Sequence, residues 1–394
     1  MISVADAVER LLTSARCRLG SEEVDLLTAR GRVVSADIRA RLDVPPADNS
    51  AMDGYAICHA DGPSGDRPLE ISQRIAAGHP PRALQAGTVA RIFTGAEIPP
   101  GADSVVMQEH CTEAGNSVQI HQWPERGANV RPGGQDLRRG QKMLQRGLRL
   151  RPQDLGLLAS QGFRRVDVMQ RLRVALLSTG DELVEPGAHA GPAKIYNSNR
   201  YTLAGLLQGW GFEVIDLGIA PDDAGAITAA LQKAAESADV IITSGGVSVG
   251  EEDHVKAVVG CLGRIDLWRI AIRPGKPFAF GQVGDTPFLG LPGNPVSVFV
   301  TGLILARPYL FACQGCDSPL VVPVRRPALF DQPGGTREDY LRVRSTAPGL
   351  EIYPSQSSGI LMSASWGDGL ARQAVGQDIL KGDLVEYIPY SGLF

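Results

Sequence analysis

Aromatic residues make up only 6% of the 394-residue chain, too few for the stacking platforms that bind single-stranded nucleic acid. Charge of one sign is not in excess either. Against 39 basic residues stand 43 acidic ones, a formal charge of −4, which argues against general polyanion binding. The six cysteines are scattered and read as reduced thiols of a cytoplasmic protein. Cys313 and Cys316 form one C-x-x-C pair, but no second pair stands at metal-ligand spacing. The longest uncharged run, Thr286 to Ala306, is broken by Pro287, Pro292 and Pro295. Its unbroken apolar part, Val296 to Ala306, is about half the ~20 residues of a membrane span. The N-terminus enters amphipathic spacing with acidic residues at once, unlike a signal peptide. H-E-x-x-H, the P-loop and the dinucleotide fingerprint are all missing. The expectation is a soluble cytoplasmic protein without nucleic-acid or membrane partners.

What is present is an ordinary globular balance, 43% hydrophobic and 21% charged, in a chain long enough for about two to four domains. Ser3 to Leu12 reads as a helix with a capping box at Ser3 and Asp6. From Asp43 to about Arg151, prolines, glycines and short strand-like runs point to a mainly β insertion. From Arg171, strands (172–177, 212–217, 238–243, 265–272) alternate with helices (200–208, 222–236, 251–261), the signature of a parallel, doubly wound sheet. Phe278–Phe280 and Phe288–Leu289 add short strands before an apolar helix from Pro295 to about Phe311. Beyond Gln314, strands at 321–324, 340–343, 351–353 and 384–388 predict a small β domain. The expected division is 1–42 with 137–170, 43–136, 171–313 and 314–394.

Ligands of open α/β sheets bind beyond the carboxyl ends of the strands, where four glycine-rich segments of this chain fall. Ser178-Thr179-Gly180-Asp181-Glu182 follows a buried strand and ends in two carboxylates, one of which could hold magnesium together with substrate phosphates. Ser244-Gly245-Gly246-Val247-Ser248-Val249-Gly250, followed by Glu251, Glu252 and Asp253, offers N–H and hydroxyl donors for an anion or a pterin. Arg273-Pro274-Gly275-Lys276-Pro277 closes a stretch, Arg264 to Lys276, with four basic residues and one acidic residue, and suits an anionic substrate. Gly290-Leu291-Pro292-Gly293-Asn294-Pro295 turns a strand into a helix and aims helix N-terminal N–H groups at the same edge. Taken singly, these segments also read as ordinary turns or solvated edges. In the insertion, Asn49 to Ala56 is a polar turn leading into a strand. Asn129 to Asp136 is a glycine-rich loop inside a stretch, Glu125 to Arg151, with eight basic and two acidic residues.

Together and in this order, DVPPADNSAMDGYA (43–56), IFTGAEIPPGAD (92–103), NVRPGGQD (129–136), LLSTGDEL (176–183), YNSNR (196–200), SGGVSVGEED (244–253), IRPGKPFAFG (272–281) and LPGNPVS (291–297) closely resemble the MoeA family of molybdopterin molybdenumtransferases, related to the gephyrin E domain. The resemblance runs from Ser3 to about Phe311. It implies a homodimer whose subunit has a discontinuous helical domain, a β insertion, a molybdopterin-binding α/β domain and a C-terminal β-barrel domain. It implies magnesium-dependent insertion of molybdate into adenylated molybdopterin with release of AMP. The family's catalytic positions fall on Asp53, Asp136, Glu182, Asp222 and Asp253, with Glu182 and Asp253 as the magnesium carboxylates. Binding positions fall on Thr94, Arg131, Arg269, Arg273, Lys276, Pro292 and Pro295, to which the loops add Ser178, Gly180, Ser244, Gly245, Gly246 and Ser248. The resemblance also places Asp53 and Asp136 in trans, on the partner subunit's site.

Arg269 and Arg273 depart from the lysines of bacterial relatives, exchanging a point charge for a planar fork. The C-terminal 80 residues match the family only in β character. Two other readings stay open. A molybdopterin adenylyltransferase shares the α/β loops but has no counterpart of Asp43–Asp136, and a non-catalytic scaffold would have no need of the carboxylates. Interaction partners compatible with the family role are the adenylyltransferase and molybdoenzyme maturation factors.

Overall fold

The computed structural model describes residues 1–62, 67–246 and 254–393. The chain divides into two compact units, Met1–Ala36 with Arg146–Arg151 and Arg165–Phe394, and Asp37–Gln145 with Pro152–Arg164.

The first unit is organised by alternating apolar residues in β1 (Arg173–Thr179), which place Val174 and Leu176 in one core and Ala175 and Leu177 in another. A strand buried on both faces belongs at the centre of a covered sheet. β1 pairs in parallel with β2 (Glu213–Ala220) on one side and β3 (Val240–Ser244) on the other. The helix Ser198–Trp210, capped by the Asn197 side chain, connects β1 to β2. The helix Ala224–Ser237, capped by Asp223, then leads to β3. Successive crossovers therefore leave β1 in opposite directions and open a crevice between the carboxyl ends of β1 and β3.

The sheet differs from the all-parallel expectation at its far edge. β4 (Gly263–Arg269), β6 (Pro277–Val283) and β7 (Thr286–Leu291) complete it, with β7 parallel to β3. β6 runs antiparallel to both β4 and β7. The cause is local: only Gly284 and Asp285 join β6 to β7, a hairpin connection too short for a parallel crossover. The single strand expected at 265–272 also divides. β4 stops at Arg269, and β5 (Ile272–Arg273) leaves this sheet to pair in parallel with β9 (Glu338–Ser345).

β8 (Val324–Pro327), β9, β10 (Leu350–Ile352), β11 (Gly369–Gln373) and β12 (Leu384–Pro389) form the C-terminal sheet, in the order β5-β9-β11-β12-β8 with β10 beside β9. β11 is not evident from sequence pattern, since its five residues GLARQ contain only one large apolar side chain, Leu370. Pairing on both sides holds it in place.

The N-terminal helix Val4–Ser14 begins as expected, with Ser3 Oγ accepting the Asp6 N–H at 3.0 Å. The apolar helix from Pro295 runs through a π turn at Gly302–Ala306 to Cys313. By length and composition it could cross a membrane, but 89% of it is buried in protein.

The second unit is built on a six-stranded sheet in the order 104–107, 54–57, 89–92, 69–75, 117–120, 111–114. Its cores lie around Tyr55, Ile57 and Val106 on one face and Ala56, Ile75 and Ile92 on the other. The short pair Val130–Arg131 with Asn49–Ser50 ties its two conspicuous loops together.

Candidate active-site cleft

At the carboxyl ends of β1, β2, β3 and β7 lies a cleft of about 1170 Å³. β1 and β3 meet at its base, where Ser178 and Ser244, both buried, stand with their Oγ atoms 3.2 Å apart. These serines tie the strands together and do not line the cleft. The neighbouring Thr179 does, and its Oγ1 has no hydrogen-bond partner among the described residues.

Glu182 reaches the cleft through the turn after β1. Gly180 has φ +141, and a Cβ there would lie 2.5 Å from Glu182 Oε2, so a side chain at 180 would evict the carboxylate. Asp181 turns away and accepts the Asp222 N–H at 3.0 Å, fixing the end of β2 beside the Glu182 loop. Glu182 and Asp222 thus line one wall, with Gly245 and Gly246 between them and β7. Ser248 and Asp253 lie outside the described residues.

The cleft also has a cationic lining. Arg273, Lys276 and Arg337 line it, with Pro292, Pro295 and Ser297 alongside. The 273–277 loop sits hard against the apolar helix, because a Cβ on Gly275 (φ +115) would lie 2.4 Å from Thr301 Cγ2. Arg269, expected here, is exposed at the end of β4 and is not among the lining residues. The sheet change between Arg269 and Ile272 separates the two arginines.

The helix N-terminus offers less than the sequence implies. Pro295 has no N–H, and the Val296 N–H is already given to the Ser358 carbonyl at 3.0 Å. That bond brings in residues sequence reasoning missed. Pro354-Ser355-Gln356-Ser357-Ser358 and Arg337 of the C-terminal domain form part of the wall. The signal was there, a Ser/Gln/Gly cluster interrupting a β pattern, but without periodicity it says nothing about which cleft it faces.

Asp53, Thr94, Arg131 and Asp136 belong to the second unit. Asp53 Oδ1 accepts both the Thr94 N–H at 2.8 Å and the Thr94 hydroxyl at 2.7 Å. The backbone N–H, then the hydroxyl, hold this exposed carboxyl below its ordinary value. Arg131 pairs with Asn49, and the Ala51 N–H donates to the Asn129 carbonyl, so the loops carrying Arg131 and Asp53 are neighbours. The Asp136 N–H donates to the Val44 carbonyl at 2.9 Å.

Two carboxylates and three cations lining one cleft, at a topological switch point, can grip a polyanion and a metal together. The chain matches one family along most of its length. Residues 2–162 match the model of the "MoeA N-terminal region (domain I and II)", 175–312 the "Probable molybdopterin binding domain", and 331–390 the "MoeA C-terminal region (domain IV)". The chain belongs to the MoeA family. It is 41% identical over 317 residues to the molybdopterin molybdenumtransferase of Haemophilus influenzae, covering 80% of this chain and 78% of that one. With that of a Nostoc species it shares 37% over 394 residues, 96% and 90% of the two chains. A MoeA protein crystal structure from Pyrococcus horikoshii superposes with a TM-score of 0.87 at 27% identity, covering 99% of this chain and all of that one. MoeA relatives thus match the C-terminal domain too, where the sequence motifs run out.

Proposed function

We propose that this MoeA-family chain is a molybdopterin molybdenumtransferase, which inserts molybdate into adenylated molybdopterin and releases AMP. The observation that carries this reading is the charge content of the cleft, which Glu182 and Asp222 line together with Arg273, Lys276 and Arg337. At about 1170 Å³ the cleft exceeds the usual ~300–1,000 Å³ of small-molecule sites, as a nucleotide-bearing pterin requires.

The carboxylates suit magnesium. No group of three or more His, Cys, Asp or Glu able to hold a metal occurs among the described residues, and magnesium typically takes one or two protein carboxylates, with waters and substrate phosphates completing its shell. Glu182 and Asp222 would hold it, with Asp253 the further candidate. Bound there, the ion would neutralise the pyrophosphate as it is cleaved.

Arg273, Lys276 and Arg337 hold the molybdate dianion, and the hydroxyls of Ser355, Ser357 and Ser358 are donors of the kind an oxyanion needs. Thr179 and the Gly245-Gly246 backbone lie where a phosphate or pterin would rest against β1 and β3. The family resemblance supports a homodimer in which Asp53 and Asp136 serve the partner's site. The six free thiols fit a reducing cytoplasm.

The test is AMP release by the purified chain given adenylated molybdopterin, molybdate and magnesium. Molybdate-dependent release with transfer of active cofactor to an apoenzyme is expected. Release of pyrophosphate from ATP and molybdopterin instead would identify the adenylyltransferase reading, and binding without turnover the scaffold.

A further inference from the structure

Arg273 lines the cleft with its side chain 47% exposed, but what holds it there belongs to another sheet. β5 pairs in parallel with β9, and this register sets Arg273 opposite Asp339. Arg273 Nη1 lies 3.3 Å from Asp339 Oδ2, and the Asp339 side chain is only 6% exposed. Asp339 does not itself line the cleft.

Behind Asp339 is a second cation, Arg342, wholly buried. Arg342 spends Nε on Ser363 Oγ at 3.2 Å and Nη1 on the Tyr340 carbonyl at 2.8 Å. Its Nη2, and Oδ1 of Asp339, have no hydrogen-bond partner among the described residues. Burial pushes the Asp339 carboxyl up, while Arg273, Arg342 and Arg337 draw it back. A carboxylate placed only to stabilise the sheet would direct its bonds inward to Arg342, because an unmet buried charge is costly. Its close ion pair instead points outward, to the half-exposed guanidinium of the cleft.

We propose that Asp339 is a positioning residue for oxyanion binding: through its ion pair it fixes the orientation of the Arg273 guanidinium at the cleft wall. This inference rests on the placement of molybdate at Arg273 proposed above. A guanidinium binds an oxyanion through a planar fork, so its orientation matters as well as its charge, and holding it in one rotamer removes the entropy cost of ordering it on binding. The C-terminal domain thereby sets the geometry of a cation carried by the α/β domain's own loop.

The charge change separates positioning from simple electrostatics. Asp339→Asn is isosteric and removes one negative charge near the cleft, so a purely electrostatic residue would, when neutralised, bind molybdate more tightly. A positioning residue, when neutralised, would bind it more weakly. Calorimetric titration of the full-length protein with molybdate is expected to give a Kd raised about five- to tenfold in Asp339→Asn. Asp339→Glu should recover part of the loss. In an Arg273→Ala background, Asp339→Asn should weaken binding no further, because the positioning acts only through that arginine.

Unchanged or tighter binding in Asp339→Asn, with Arg273→Ala weakened, overturns the inference and leaves the molybdate placement standing. Unchanged binding in Arg273→Ala overturns the placement itself, and the inference with it. If thermal melting shows that Asp339→Asn does not fold, Asp339→Glu decides. A weakening of about twofold or more that disappears in the Arg273→Ala background supports positioning, and wild-type affinity rejects it.

Discussion

The Val296 backbone N–H, in the first turn of the apolar helix, donates to the Ser358 carbonyl at 3.0 Å. A helix start expected to face the ligand is thus occupied by the C-terminal domain, whose chain becomes part of the cleft wall. Anion recognition therefore falls more heavily on side chains than on a helix terminus.

Arg337 enters the cleft from the same domain, with Nη1 on the Ile272 carbonyl at 3.2 Å. A charge-assisted hydrogen bond is worth about 1.5–3 kcal/mol, so Arg337→Ala should weaken molybdate binding roughly ten- to a hundredfold. Affinity for adenylated molybdopterin should change less. Calorimetry with each ligand separately checks this, and the reverse pattern would assign Arg337 to the phosphates.

Magnesium dependence should locate the carboxylates. Glu182→Gln or Asp222→Asn each remove one hard oxygen ligand, so the magnesium concentration for half-maximal AMP release should rise by about tenfold or more. Chelation should abolish turnover in the wild type. Magnesium curves that coincide with wild type in both variants would remove the pair from the metal site.

How much of this was readable beforehand depends on the kind of signal. β1 and β3 are short apolar runs ending in glycine, and their crevice follows from topology rules, so Gly180, Glu182, Gly245 and Gly246 were placed correctly at one edge. Arg273 and Lys276 could be assigned to that edge from charge and spacing. Arg269 went with them because a continuous strand to Ile272 was expected. Nothing local marks the exchange of sheets, which depends on pairing with β9 more than 60 residues away. Arg337, Asp339 and Ser355–Ser358 were invisible for the same reason, since their partners are set by tertiary register. The hairpin at Gly284-Asp285 is legible in the sequence: a two-residue turn containing glycine between β-rich runs signals antiparallel pairing.

Gly275 offers a test of packing behind the cationic loop. At φ +115 and with Thr301 Cγ2 2.4 Å from any added Cβ, Gly275→Ala combines backbone strain with a clash. Strain of this kind costs about 1–3 kcal/mol. Urea unfolding should show that loss, and molybdate affinity should fall because Arg273 and Lys276 flank the displaced turn. A midpoint matching wild type would mean that the loop relaxes freely.

The Asp53–Thr94 pair has a definite sign with pH. Asp53 has its folded pKa held below the unfolded value of 3.8, so its contribution to stability is present above 3.8 and is lost as pH falls through the lowered value. Thr94→Val keeps the backbone donor and removes the hydroxyl, so the Asp53 carboxyl should titrate higher than in wild type, yet still below 3.8. Carbon-13 NMR of the side-chain carboxyl measures both values. No upward movement in Thr94→Val would show that the hydroxyl bond is absent in solution.

Subunit mixing tests whether Asp53 serves the partner's site. Asp53→Ala and Glu182→Ala should each be inactive alone as homodimers. If the two residues meet across a two-fold dimer, a mixed dimer has one site with both lesions and one with neither. Random exchange makes about half the dimers mixed, and one of two sites in each is intact, so recovery should approach about a quarter of wild-type activity. If both residues served the same subunit's site, every site in a mixed dimer would carry one lesion and nothing would be regained. Exchange must be verified independently, by tagging one variant and capturing it with the other. Absence of recovery after verified exchange would then place Asp53 and Glu182 in the same subunit's site. An Asp53→Ala homodimer that keeps its AMP release before any mixing would instead remove Asp53 from the chemistry.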